Sequence, residues 1–177
     1  MTDHKNIWIE TGYKLFASSG LQGIKVEPLA KKVGISKSSF YHHFADLDIF
    51  IDYLLKHHLT QAYLLAEKEK ACNTINPELI NVLLAHKTDL FFNRQLRVHR
   101  DKEVFNKTLI QANQAVGYYF VDVWVKTLNL KINQQQLEGI FELAIENFYL
   151  QITPETLTFE WLAAYFNNLN RIIINFN

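Results

Sequence analysis

The stretch Val26-Glu27-Pro28-Leu29-Ala30-Lys31-Lys32-Val33-Gly34-Ile35-Ser36-Lys37-Ser38-Ser39-Phe40-Tyr41-His42-His43-Phe44 decides the fold. Val26, Leu29, Ala30 and Val33 repeat at helical spacing, so one face of a short helix is apolar. Pro28 is compatible with that helix, because in the first turn a missing N–H has no intrahelical partner to lose. Gly34 follows, a residue that takes a positive φ and so ends a helix, and Ser36 is placed to cap a second one. Leu29, Val33, Ile35 and Phe40 supply the apolar seam between the two, and Ala30 is small where they cross. The pair has the shape of a helix-turn-helix. Lys37, Ser38, Tyr41 and His42 are left pointing outward from its second helix.

Upstream, Trp8, Gly12, Leu15, Phe16 and Ser19 recur at helical spacing and predict a supporting helix over about residues 4–19. Beyond Asp46 the periods lengthen, and helices are expected over about 47–71, 77–92, 101–128, 133–151 and 156–174. Asn76-Pro77-Glu78 and Thr153-Pro154-Glu155 each read as a helix start, a polar cap before Pro and an acid in the first turn to meet the helix dipole. Asn129 to Gln134 reads as a polar connector, and Gln134-Gln135-Gln136 as a solvated helix face. The predicted fold is all-α: an N-terminal three-helix head over residues 1–46, then a helical body over 47–177.

The chain has 177 residues, enough for one compact unit with at most a small appended module. Hydrophobic residues make up 49% and charged residues 20%, which suits a packed core rather than a disordered chain. Lys plus Arg balances Asp plus Glu at 18 each, so no overall positive field draws the chain to nucleic acid, and any such affinity is local. The single Cys72 excludes an intrachain disulfide framework, and a reducing, cytoplasmic setting is expected. No signal peptide is expected, because Glu10, Thr11 and Gly12 interrupt the apolar Ile7-Trp8-Ile9. The apolar stretches Val116 to Val125 and Ile140 to Leu150 carry Asp122, Glu142 and Glu146 and fall short of the roughly 18 apolar residues of a membrane span.

Catalytic constellations are not evident. There is no Gly-rich phosphate loop or nucleophile elbow, and His57-His58, His86 and His99 lack zinc-site spacing. His42 and His43 diverge by about 100° on a helix and cannot both ligate from one face. No enzyme activity, metal or cofactor is expected. Arg94, Arg97, Arg100 and Lys102, with His99 among them, read as solvated charges in a loop between helices.

The outward set on the second helix suits DNA, since Lys and Ser reach base edges while Tyr, His and Lys donate to phosphates. Leu15-Phe16-Ala17-Ser18-Ser19-Gly20, Val26-Glu27-Pro28-Leu29-Ala30 and Gly34-Ile35-Ser36-Lys37-Ser38-Ser39-Phe40-Tyr41-His42-His43-Phe44 together resemble the DNA-binding domain of the TetR/AcrR family of transcriptional regulators, over about residues 7–55. The resemblance implies a three-helix DNA-reading head, a helical body that takes a small molecule, and dimerisation through the last two helices. With it, the expected DNA contacts are Lys25, Ser36, Lys37, Ser38, Ser39, Tyr41 and His42, with Phe40 in the core and His43 packing or capping.

Two departures from the family pattern matter. Lys25 stands where the family usually has a phosphate-touching Ser or Thr, and Leu47, between Asp46 and Asp48, stands where it usually has Lys or Arg. Residues 1–58 hold seven Lys against six acids, a net charge of +1.

The body is rich in aromatic residues, most of them expected in its core. An apolar effector pocket is expected to draw on His86, Phe91, Phe105, Gln111, Tyr118 and Phe148. The dimer interface is expected to use Phe141, Ala144, Ile145, Phe148, Trp161, Tyr165, Phe166 and Leu169, on two apolar stripes wider than a lone hairpin hides. The function expected is sequence-specific binding of a double-stranded DNA operator by a homodimer, a repressor released by a small, apolar effector. The alternative is a TetR-like helical protein that binds a lipid or other apolar ligand without recognising DNA.

Overall fold

The computed structural model of the chain describes residues 4–128 and 134–174, and the connector expected at 129–134 lies outside them except for the backbone of Gln134. Every regular element among the described residues is helical, so the fold is all-α. In chain order the α-helices are α1 His4–Gly23, α2 Val26–Val33, α3 Lys37–His43, α4 Leu47–Lys70, α5 Ile80–Ala85, α6 Lys87–Val98, α7 Glu103–Leu128, α8 Gln134–Gln151 and α9 Phe159–Ile174. A π-helical turn, Ile75–Leu79, leads into α5. The chain forms two compact units, Met1–Ala62 with Thr88–Ala112, and Tyr63–Lys87 with Asn113–Asn177.

In the first unit α1 buries Trp8, Ile9, Gly12, Tyr13, Phe16 and Ala17, a stripe at helical spacing. Gly12 is a close approach: a Cβ there would collide with the Phe50 ring of α4. Gly20 interrupts the helix with φ 61°, and a Cβ on it would stand 2.7 Å from Gln95 Oε1. Phe16 stacks on Phe105 with ring centres 5.9 Å apart, and Tyr13 stacks on Phe92 at 4.4 Å.

In the second unit the carboxylate of Glu78 accepts from the backbone N–H of Asn73 at 2.6 Å and of Thr74 at 3.2 Å, tying the start of the π-turn. Within the α8–α9 hairpin the Tyr165 hydroxyl donates to the Ala144 carbonyl at 2.7 Å, and Phe148 lies against both Trp161 and Tyr165. Burial pushes the Tyr165 hydroxyl up to about 12.

Three sequence expectations are corrected. The helix predicted over 77–92 is broken at His86, whose φ of −109° and ψ of 26° end α5 while its buried ring meets Lys68 Nζ at 2.8 Å. The next helix runs to Val98, so Arg94 and Arg97 are half-buried on α6 and only Arg100 and Lys102 lie in the following turn. The start predicted at Thr153-Pro154-Glu155 is a separate turn closed by Thr153 and Thr156, and α9 begins later, with Thr158 Oγ1 accepting from Trp161 N at 3.2 Å.

A polar group sits inside the first unit's core. Tyr13 gives its single hydroxyl proton to Asp89 Oδ1 at 2.7 Å, so at His58, 2.8 Å from the same oxygen, Nδ1 carries the proton and donates. Burial pushes His58 down from 6.5 to about 4, against the opposing pull of the Asp89 charge and the Asn93 side chain. The unfolded chain therefore takes up a proton at His58 below pH 6.5 that the folded chain refuses until about pH 4. Stability therefore drops as the pH is lowered from about 6.5 to about 4, by roughly 3 kcal/mol from this group. His58→Gln should flatten this part of the curve in urea unfolding between about pH 4 and pH 7. Parallel curves for the two proteins would contradict the assignment.

Candidate nucleic-acid interface

The short α3 is built by local signals. Gly34 adopts φ 74° and ψ 22° and returns its N–H to the Ala30 carbonyl at 2.9 Å, ending α2. Ser36 caps α3, its Oγ accepting from Ser39 N at 3.4 Å and lying 2.8 Å from Ser38 Oγ. Phe40 is 0% exposed and packs edge-on against Trp8 at 5.4 Å and Phe50 at 5.2 Å. With that side fixed inward, the opposite side of α3 faces solvent.

The expected contact residues sit as follows. Lys37, Ser38, Tyr41 and His42 are exposed on one side of α3, Tyr41 at 56%. Ser36 is exposed at the cap, Ser39 is half-buried, and His43 is half-buried beside Phe44. Lys25 is exposed at the start of α2, where its carbonyl accepts from Leu29 N at 3.1 Å and its side chain makes no cap. The structure thus gathers Lys37, Ser38, Tyr41 and His42 on one surface and holds Lys25 at the neighbouring helix start.

Two features of this surface escaped the sequence reading. Lys37 is ion-paired with the exposed Glu27 of α2, and that bond and charge hold the Glu27 carboxyl below its ordinary range. Asp46 caps α4, its Oδ1 accepting from Ile49 N at 2.8 Å, while Leu47 is half-buried against the aromatic core. An acid at the cap and an apolar residue packed inward explain what stands in place of an exposed cation. Lys5 also lies 3.9 Å over the Tyr53 ring, and its hydrogen bond to the hydroxyl, together with its charge, lowers that group's pKa.

The other expected residues are distributed. Phe91, Phe105 and Gln111 belong to the first unit, with Phe105 in its core and Gln111 exposed. His86, Tyr118 and Phe148 belong to the second, where His86 and Phe148 are buried and Tyr118 is exposed. The six are not brought together within either unit. Of the residues expected at a dimer interface, Ala144, Phe148, Tyr165 and Phe166 are already buried within the chain, and Phe141, Ile145, Trp161 and Leu169 are half-buried. The exposed apolar side chains on α8 are instead Leu143 at 77% and Leu150 at 79%, seven residues apart and so on one face. An apolar pattern alone does not separate these exposed positions from the inward stripe.

Residues 9–47 match the sequence pattern of the bacterial regulatory proteins of the tetR family. Over these residues the head is similar to that of the tetR family. Several solved structures share the whole fold. A transcriptional regulator from Rhodococcus sp. Rha1 aligns with a TM-score of 0.67 at 15% identity, over 97% of this chain and 96% of its own. The ketosteroid transcriptional regulator KstR2 of Mycobacterium tuberculosis aligns with a TM-score of 0.64 at 16% identity, over 98% of this chain and 96% of its own. A protein described as a TetR-family regulator from Mesorhizobium loti aligns at 0.63 and 13% identity, over 97% and 95% of the two chains. At these identities the likeness is one of fold. No curated protein matches the sequence.

Among the described residues no three His, Cys, Asp or Glu side chains gather to hold a metal ion, and no helix is long and apolar enough to cross a membrane.

The TetR-type head depends on the backbone of Gly34. A Cβ there meets nothing within 4 Å, so a substitution tests backbone strain alone. Gly34→Ala should cost roughly 1–2 kcal/mol in urea unfolding, and Gly34→Asn clearly less, since Asn tolerates the left-handed region. An alanine variant as stable as the parent would contradict a left-handed turn between α2 and α3.

Proposed function

We propose that this chain is a sequence-specific regulator that reads double-stranded DNA with α3 as a homodimer, and that a small molecule held in its helical body releases the operator. The observation that carries the reading is the α3 surface, where Lys37, Ser38, Tyr41 and His42 face solvent on a helix pinned from behind by Phe40. A large aromatic side chain exposed on a seven-residue helix beside two serines and a lysine suits the floor and walls of a major groove. Lys25 and Ser36 are placed as backbone contacts at the flanks. In functional terms residues 1–46 carry recognition, and residues 47–177 carry effector binding and dimerisation. Two heads spaced by about 34–36 Å, one turn of DNA, or a multiple of it, engage together, and an effector that favours another spacing releases them.

One observation favours a second reading, a TetR-like ligand carrier that does not recognise DNA. Lys37 is already paired with Glu27, and Leu47 adds no cation. The two readings separate on DNA selected from a random pool by the purified protein. On the first, Tyr41→Ala weakens binding to all sequences while the fold is kept, and Lys37→Ala also relaxes base preference, at about 1–3 kcal/mol of discrimination. Glu27→Gln, which frees Lys37, should tighten binding severalfold and steepen its salt dependence. Selection of no sequence, or unchanged affinity in a folded Tyr41→Ala protein, would favour the carrier.

Dimerisation is proposed through the exposed face of α8 that carries Leu143 and Leu150, with α9 beside it. Paired across a two-fold axis, this face extends the inward aromatic packing of the hairpin into a four-helix interface. Leu143→Glu combined with Leu150→Glu should shift the protein from dimer to monomer in sedimentation, with helix content kept and operator affinity lost. An unmodified protein that sediments as a monomer at micromolar concentration would overturn this arrangement.

A further inference from the structure

Beyond the last turn of α3, lysines from two other helices converge on one ring. Lys5 of α1 holds its ammonium 3.9 Å from the centre of the Tyr53 ring and 6.0 Å from that of Phe44, and Lys56 of α4 stands 5.5 Å from the same Tyr53 ring. Phe44 is the residue that closes α3, donating its N–H to the Phe40 carbonyl at 2.8 Å, and its ring meets Tyr53 edge-on at 5.5 Å. The cluster is thus tied by packing to the exposed helix of the head, within one compact unit. Lys5 falls on the face of α1 that buries Trp8, Ile9 and Gly12, so its stem is half-buried and its charged end is delivered to the rim of the core. Tyr53 is half-buried as well, its ring packed on the core and its hydroxyl at the surface.

The polar ends form an ordered chain. Lys5, which has only protons to give, donates to the Tyr53 oxygen. The phenol keeps its own proton for another acceptor, and among the described residues it donates to none. Lys56 makes no ion pair among the described residues. Two ammonium groups drawn to one ring repel each other. An anion set against the hydroxyl would be attracted by both and would accept the phenol's proton in a charge-assisted bond. Positive charge on the reading surface is otherwise limited, since Lys37 is paired with Glu27 and α4 opens on Asp46, Leu47 and Asp48.

We propose that Lys5, Tyr53 and Lys56 clamp a backbone phosphate of the DNA strand that walls the groove at the C-terminal end of α3, the two ammonium groups attracting it and the Tyr53 hydroxyl donating to one of its oxygens. This rests on the reading of α3 as the helix that enters the groove, and it adds three contacts outside that helix. A phosphate suits the set better than a base edge, because two point charges on flexible stems and one hydroxyl lack the fixed pairing of donors and acceptors that tells bases apart. The clamp supplies affinity and register without sequence preference.

The test uses the full-length protein and the duplex it selects from a random pool, with binding followed by fluorescence anisotropy across a salt series. Lys5→Gln and Lys56→Gln should each weaken binding and lower the slope of log affinity against log salt by about 1 per bound head, and the double variant by about 2. Tyr53→Phe should weaken binding severalfold. In all of these the ranking of base substitutions in the duplex should stay that of the parent, unlike in Lys37→Ala. Lys5→Arg and Lys56→Arg keep the charge and should keep the slope. Ethylation of single phosphates gives a second readout: one phosphate whose ethylation impairs the parent should cease to matter to the double variant. Circular dichroism and urea unfolding establish that each variant is folded. A folded double variant with the parent's affinity and slope, an unchanged ethylation pattern, or an altered base ranking would overturn the clamp. Its failure is distinguishable from failure of the reading beneath it. Where Tyr41→Ala weakens binding and the double variant does not, α3 reads DNA without the clamp, whereas a parent that selects no duplex removes both.

Discussion

The burial of the Phe40 ring is the constraint on which the head depends. A helix of seven residues does not persist in water on its own, because nucleation outweighs so few hydrogen bonds. Phe40 contributes about 1.5–3 kcal/mol by leaving water, and its edge-on contacts with Trp8, Tyr41 and Phe50 fix the roll of α3 about its axis. That roll decides which side chains face outward. The collision that any side chain at position 12 would make with Phe50 shows how closely α1 and α4 clamp this ring. Recognition by the outer face of α3 is in this sense a product of packing on its inner face.

What the sequence discloses and what it hides follow the range of the forces involved. Gly34, Ser36 and the alternation of Phe40 with Tyr41 act on neighbours within about one helical turn, so their roles are readable along the chain and recur in the structure. The all-α architecture is readable for the same reason. Glu27 and Lys37 are ten residues apart, and only the turn between α2 and α3 brings them together. At the break, His86 meets Lys68 from another helix, a contact that the apolar period running through this stretch does not mark. Leu47 shows the limit from the other side, since the sequence reveals a missing cation but not that the leucine packs inward.

The hairpin of α8 and α9 gives a related lesson. An apolar stripe states that a surface is to be covered without naming the cover. Ala144, Phe148 and Tyr165 are covered by their own chain, with the Tyr165 hydroxyl anchored on the Ala144 carbonyl, so any change at them tests the hairpin before it tests an assembly. Burial of charge behaves with similar economy in both units. His58 and Glu69 shift in opposite directions for one reason, that the interior favours the neutral form, yet His58 has Tyr13 to orient it while neither Glu69 oxygen has a hydrogen-bond partner among the described residues.

The placement of the tryptophans gives the molecule an internal set of optical reporters. Trp8 belongs to the first unit, and Trp124 and Trp161 belong to the second. Trp8 and Trp124 are wholly enclosed, so their indole emission lies to the blue and is shielded from dissolved iodide, whereas the half-buried Trp161 is open to collisional quenching. Replacing Trp124 and Trp161 by phenylalanine leaves a light source at the Phe40 contact, and replacing Trp8 leaves one in the helical body. Fluorescence then follows the loosening of each unit separately, without an added dye.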